Sequence, residues 1–189
     1  MVKKTSLLHI PVGGLKHLDS KGNVVWENDR VIDNILHNEG EKAIISAYFA
    51  TTMTGFGTAP ANVYLGLDSR ASVTESDTLA SLTGEPSGNG YARVACSTAS
   101  DGTAKTGVAG ADFYINASSN AYGAESKTVT FTCTTTAWSA VTHLFMATSN
   151  DASGKLICTL DLSASRTLQI GDSLQASMNI YLSESSEAA

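Results

Sequence analysis

Charge is scarce in this chain. Asp, Glu, Lys and Arg make up 16% of its 189 residues, where about a quarter is usual, which argues against a chain kept disordered by its own charge. What charge there is leans acidic, with 12 basic against 18 acidic side chains and a formal charge of −6. No basic run stands ready to neutralise a string of phosphates, so nucleic-acid binding loses its main source of affinity. The three cysteines, Cys96, Cys133 and Cys158, form no CxxC pair and leave one over in any pairing. They read as small buried hydrophobes rather than as a secreted disulfide framework. Long apolar runs are missing too. The stretch holding Leu7, Leu8 and Ile10 is cut by Pro11 and Gly13-Gly14, too short for the core of a signal peptide or for a bilayer. Synthesis in a cytoplasm, without membrane insertion, is expected.

Catalytic motifs are equally sparse. His9, His17, His37 and His143 show neither HxH nor HExxH spacing. There is no Gly-x-Ser-x-Gly elbow and no P-loop, and Gly55-Phe56-Gly57 lacks the strand, third glycine and helix of a dinucleotide site. Asp151 to Lys155 lacks the alternating oxygen ligands of a calcium loop. No catalytic residue, cofactor or metal ligand is assigned, and an enzyme is not expected.

What is present is a core-sized chain rich in Ser, Thr, Ala and Gly. Area scaling lets a chain of 19.7 kDa bury about 70% of its unfolded surface, enough for one core without staples. Residues 5–36 read as short extended pieces, with the turn formers Asp19 to Asn23 between two of them suggesting a hairpin. This region is either an extended arm lying on a neighbour or two or three strands of the chain's own sheet. The domain expectation is an arm or hairpin over 1–37 and a helix plus sandwich over 38–189. Asn38-Glu39-Gly40-Glu41 has the spacing of a capping box and predicts a helix over 39–50, whose Ile44, Ile45, Tyr48 and Phe49 form one apolar stripe.

From Val63 onward the period changes to short runs between turn clusters, with strands predicted at 62–68, 91–98, 110–116, 126–134, 141–149, 155–162 and 173–183. In the alternating segment Thr128 to Thr134, Val129, Phe131 and Cys133 share the core face. Asn150 to Gly154 reads as a hairpin loop, and Ile170-Gly171-Asp172 as the turn into the last strand. The fold class is therefore mainly β: an antiparallel two-sheet sandwich, with a jelly-roll as one form of it, carrying one α-helix in its N-terminal region and an extended N-terminal arm. Residues 71–90 are its long loop, with a helical turn expected within 72–79 and an ordered crossover between sheets as the plainer reading. Asp68, Glu75, Asp77 and Glu85 in and before this loop suit solvated acids better than a glycosidase pair.

The order of motifs resembles small structural proteins of tailed bacteriophages. It runs from Val31 to Asn38 into the helix, through Val63-Tyr64-Leu65-Gly66-Leu67, Asp77-Thr78-Leu79 and Gly90-Tyr91-Ala92-Arg93, and on to Trp138 to Leu144 and Gly171-Asp172-Ser173-Leu174. The resemblance covers roughly residues 24–182 and leaves the first 22 outside. It implies a β-sandwich core and a non-enzymatic, homo-oligomeric virion part of the tail, collar, baseplate or fibre, bound to other virion proteins and carrying no catalytic residue. Assembly is expected through the arm and sandwich edges, at Leu7, Leu8, Ile10, Pro11, Trp26, Ile44 and Tyr48. The alternatives are a capsid decoration protein and a carbohydrate- or receptor-binding module. The latter would meet a host-surface glycan through a ligand loop holding Asp68, Glu75, Asp77 and Tyr91, with Trp26 as a second aromatic platform.

Overall fold

The computed structural model describes residues 8–9, 12–28, 34–49, 60–98, 112–118 and 121–182. Among these residues there are twelve strands: β1 (Leu8–His9), β2 (Val12–Leu18), β3 (Val24–Asn28), β4 (Asn34–Leu36), β5 (Asn62–Asp68), β6 (Val94–Ser97), β7 (Phe113–Ser118), β8 (Ala121–Ser126), β9 (Val129–Thr132), β10 (Val141–Ala147), β11 (Leu156–Arg166) and β12 (Ser173–Leu182). The helix α1 (Asn38–Phe49) follows β4, and a 3-10 turn lies at Leu79–Ser81. All ladders are antiparallel and form two sheets.

The seven-stranded sheet is built around β12. One side of β12 takes β2 and then β1, and the other takes β9 and then β8; Leu174 lies opposite both His17 and Phe131. Beyond β2 lies the edge strand β3, and beyond β8 the edge strand β7. The expected Asp19–Asn23 hairpin is present, its Asp19 carboxylate accepting the Lys21 and Asn23 N–H groups at 2.8 and 2.9 Å. Residues 12–28 thus lie in the chain's own sheet, and Leu15 is completely buried in the core. Leu7, Ile10 and Pro11 lie outside the described residues, as do the side chains of Leu8 and Tyr48. The predicted 126–134 strand is the shorter β9, and β8 before it matches no predicted strand; pairing along β12 passes from β8 to β9 at Lys127 and Thr128. The alternation survives: Val129, Phe131 and Cys133 are all buried.

The five-stranded sheet has the order β4-β11-β10-β5-β6. Leu65, Leu67, Leu144, Met146, Cys158 and Leu160 from its inner face join Leu15, Phe131, Leu174 and Met178 from the other sheet in one core. Its outer face is also covered. Phe145, Ala147 and Leu156 pack there against Leu79 and Leu82 of the long loop, which is why β10 and the start of β11 are buried residue after residue rather than alternately. The long loop is therefore no crossover between sheets. It leaves β5, covers the outer face and returns to β6, which pairs with β5; within 72–79 it makes a turn in which the Thr74 carbonyl accepts the Asp77 N–H at 3.0 Å, and the 3-10 turn follows at Leu79–Ser81.

The helix begins one residue earlier than the sequence suggests, since the His37 carbonyl already accepts the Glu41 N–H at 2.9 Å. Two contacts seat it. A Cβ on Gly40 would overlap the Ile157 carbonyl, so only glycine allows so close an approach to β11. The Glu39 Oε2 accepts the backbone N–H groups of Leu79 and Leu156 at 3.2 and 3.1 Å, joining helix, loop and sheet at one carboxylate.

Candidate functional site

The long loop holds the acids that the sequence brings together, and two networks fix it. At its start the Asp68 side chain is fully buried, with its Oδ2 accepting the Arg70 Nε–H at 2.8 Å. Arg70 Nη1 donates onward to the Ser81 carbonyl at 3.2 Å and to Asp77 Oδ1 at 3.4 Å. Burial works against the Arg70 charge, yet Asp68 and Asp77 hold its pKa above the ordinary value. Asp77 also accepts the Thr74 N–H at 2.7 Å and the Ser81 hydroxyl at 3.2 Å. Partial burial opposes its charge, but these donors and Arg70 hold its carboxyl below the ordinary range. Glu75 is exposed, and its carbonyl accepts the Asn38 N–H at 3.0 Å.

The second network closes the loop's far end. Arg93 meets Glu85 through two parallel contacts, Nε to Oε1 and Nη2 to Oε2, both 2.8 Å, the fork geometry that carboxylates favour. Its Nη1 donates to the carbonyls of Ser149 and Asp151 at 3.0 Å, tying the loop to the β10–β11 hairpin. The Tyr91 hydroxyl donates to Glu85 Oε1 at 2.6 Å and accepts the Leu67 N–H at 2.9 Å, continuing the ladder of β5 past the end of β6. Its ring stacks on Phe131 and meets Trp138 edge to face. Burial, reinforced by Glu85, pushes the Tyr91 phenol far above its ordinary value. One face of Tyr91 thus lies on Phe131 and its hydroxyl is engaged twice. Trp26 is half-buried, with the Arg166 guanidinium 4.0 Å over its ring.

Beside the loop lies a polar cleft of about 310 Å³. One wall comes from residues of the 83–89 segment and the other from residues 137–139, with Ser69 also lining it. Asn89 locks the walls together. Its carbonyl accepts the Thr134 N–H at 2.9 Å and the Trp138 indole N–H at 3.2 Å, and its side-chain oxygen accepts the Thr135 hydroxyl at 2.7 Å. To do this Asn89 takes φ +56° between Gly88 at +65° and Gly90 at +88°, a run of left-handed backbone that two glycines and an asparagine tolerate best.

Other chemistry is muted. Burial pushes the Cys96 thiol up to about 11 and the Cys158 thiol up to about 12, so both stay protonated near neutral pH. Among the described residues no group of three or more His, Cys, Asp or Glu could hold a metal ion, and no helix is long and apolar enough to cross a membrane.

The structure thus brings Asp68 and Asp77 together through Arg70, places Tyr91 in a separate cluster with Glu85, and leaves Glu75 exposed. Sequence reasoning missed Arg70, Arg93 and Asn89. The run Gly88-Asn89-Gly90 was the available signal for the last of these. A family model described as Podophage GP4 fiber I protein gp80 matches residues 36–181. The chain belongs to this family. The fibre-family match begins at the last residue of β4 and ends within β12, so it takes in both loop networks and the cleft. No curated protein matches the chain.

Proposed function

We propose that the chain is a non-enzymatic structural part of a phage fibre, joined to copies of itself and to other virion proteins through its sheet edges. Membership of a fibre family across residues 36–181 carries this reading and implies residence in the virion. The loop chemistry supports it, because Asp68, Asp77, Glu85 and Tyr91 all hold the loop in place.

Among the described edges, β3 best suits a second copy. Val24 and Val25 on it are 51% and 61% exposed, and its Glu27 is paired with Lys16 at 2.9 Å. Residues 1–62 contain six basic and six acidic side chains, so the remaining residues carry the whole −6. Two copies meeting through the neutral part bring the least like charge together. Leu7, Leu8, Ile10 and Pro11 at the start of the chain, Trp26 on β3, and Ile44 and Tyr48 on α1 remain the proposed assembly residues.

The test is gold-labelled antibody against the chain on purified particles, with its copy number taken by quantitative mass spectrometry. Label on fibres in few copies is expected. Label spread over the capsid in hundreds of copies would make it a decoration protein, and a chain missing from particles would overturn the virion reading.

A further inference from the structure

Arg166 is the described arginine that no acid holds. Arg70 is paired with Asp68 and Asp77, and Arg93 with Glu85. The Arg166 guanidinium instead lies 4.0 Å over the Trp26 ring, and its Nε is sealed from solvent without a hydrogen-bond partner. We propose that this guanidinium takes a carboxylate from a second copy of the chain, where two copies meet at β3. The proposal rests on the self-association through β3 given above and names the contact that selects the partner.

The guanidinium lies on the side of the sandwich where β3 ends the larger sheet. Trp26 and Asn28 are alternate residues of that edge strand, so their side chains share one face. Both meet the end of β11: Arg166 covers the first, and the Asn28 amide donates to the Ser163 hydroxyl at 3.2 Å. In the smaller sheet β4 pairs with residues 158–160 of β11. Among the described residues no strand follows β4 along that side of β11 from Asp161 to Arg166. A chain added to β3 therefore runs beside the guanidinium.

The chemistry calls for an acid. An indole face attracts a guanidinium but gives its N–H groups no oxygen, so Nη1 and Nη2 keep the fork that fits a carboxylate. Burial, with no carboxylate to oppose it, lowers the Arg166 pKa, the mark of a cation that has lost water without gaining a counter-charge. Its seat on Trp26 also sets the guanidinium in place before a partner arrives, so less side-chain freedom is lost on binding. A second copy has acids to spare. Glu27 of β3 is already held by Lys16, but residues 63–189 carry twelve acidic against six basic side chains. Among the described acids of that part, Glu75 and Asp161 are exposed and form no ion pair.

The test follows the intact chain by sedimentation velocity from dilute to self-associating concentrations. Treated with p-hydroxyphenylglyoxal and read by mass spectrometry, Arg166 should be labelled in the dilute chain and protected in the associated one, while Arg70 and Arg93 resist labelling in both. Arg166→Gln should weaken association at least about tenfold with its urea midpoint near the parent's; Arg166→Met, which keeps the stem over Trp26, serves if that variant does not fold. A nitrogen-15-labelled Arg166→Lys chain mixed with the unlabelled parent and treated with a carbodiimide should give a mixed-isotope isopeptide bond from position 166 to an acid within residues 63–189. A chain that stays monomeric overturns the β3 reading and this one with it. Association that Arg166→Gln leaves unchanged, equal labelling of Arg166 in both states, or a link only to Asp29 or Asp33 of the same copy overturns this proposal alone.

Discussion

At the scale of single residues, Arg93 shows how the loop is held. It joins Glu85 by two charge-assisted bonds, reaches two carbonyls of the β10–β11 hairpin and lies 5.3 Å over the Phe145 ring. Arg93→Met keeps the stem's packing but strands Glu85 in a site only 19% exposed, so a loss of about 2–4 kcal/mol is expected, read from urea unfolding at unchanged slope. Tyr91→Phe removes one donor to Glu85 and the acceptor of the Leu67 N–H, and should cost less, about 1–2 kcal/mol. His37 gives the fold a pH dependence. It is completely buried, its Nε2 lies 3.1 Å from the Thr159 hydroxyl and its Nδ1 has no partner; burial lowers its pKa from 6.5, although Asp77 partly opposes this. As pH falls through 6.5 the unfolded chain takes up a proton that the native chain refuses, so stability must decline on the acid side. Unfolding midpoints on either side of that pH should differ less in His37→Gln than in the parent.

At the scale of elements, two glycines set close approaches. Replacing a helical glycine by alanine ordinarily gains about 1 kcal/mol. At Gly40 the sign should reverse, with a loss of about 1–3 kcal/mol from overpacking, because the new methyl meets the backbone of Ile157, which has no room to yield. Thermal unfolding decides it: a raised melting temperature would contradict the contact. Gly66 stands opposite Phe145 in the ladder, where the ring covers the space a side chain would occupy.

Elements such as β5, α1 and β12 were legible in the sequence because alternation, helical spacing and turn residues act locally. The cover over the outer face was not. Leu79 and Leu82 look like two leucines in a polar loop until the fold delivers Phe145 and Leu156 to them. The same holds for the site: the acids were visible as a cluster, but the carboxylate that Arg93 would meet is set by how the loop closes, and nothing in spacing reveals that Tyr91 is turned inward against Phe131.

For the whole molecule, the uneven charge bears on the proposed self-association. If copies meet through β3, Val24→Lys and Val25→Lys should weaken self-association by placing charge on both sides of a shared edge, with stability within about 0.5 kcal/mol of the parent because neither side chain is buried. Light scattering gives the mass and urea unfolding the stability; an unchanged mass in a chain that does self-associate would place the contact on another edge.

The position of β12 has a consequence for synthesis. A ribosome delivers this strand after every other described one, yet β1, β2, β8 and β9 all pair with it. Until it emerges, the earlier strands wait with open edges, exposed to misassembly. A chain stopped before residue 173 would lack the spine of the larger sheet rather than its margin. Broken translation products would thus be grossly misfolded and open to proteolysis, and shortened copies would not enter an assembly disguised as sound ones.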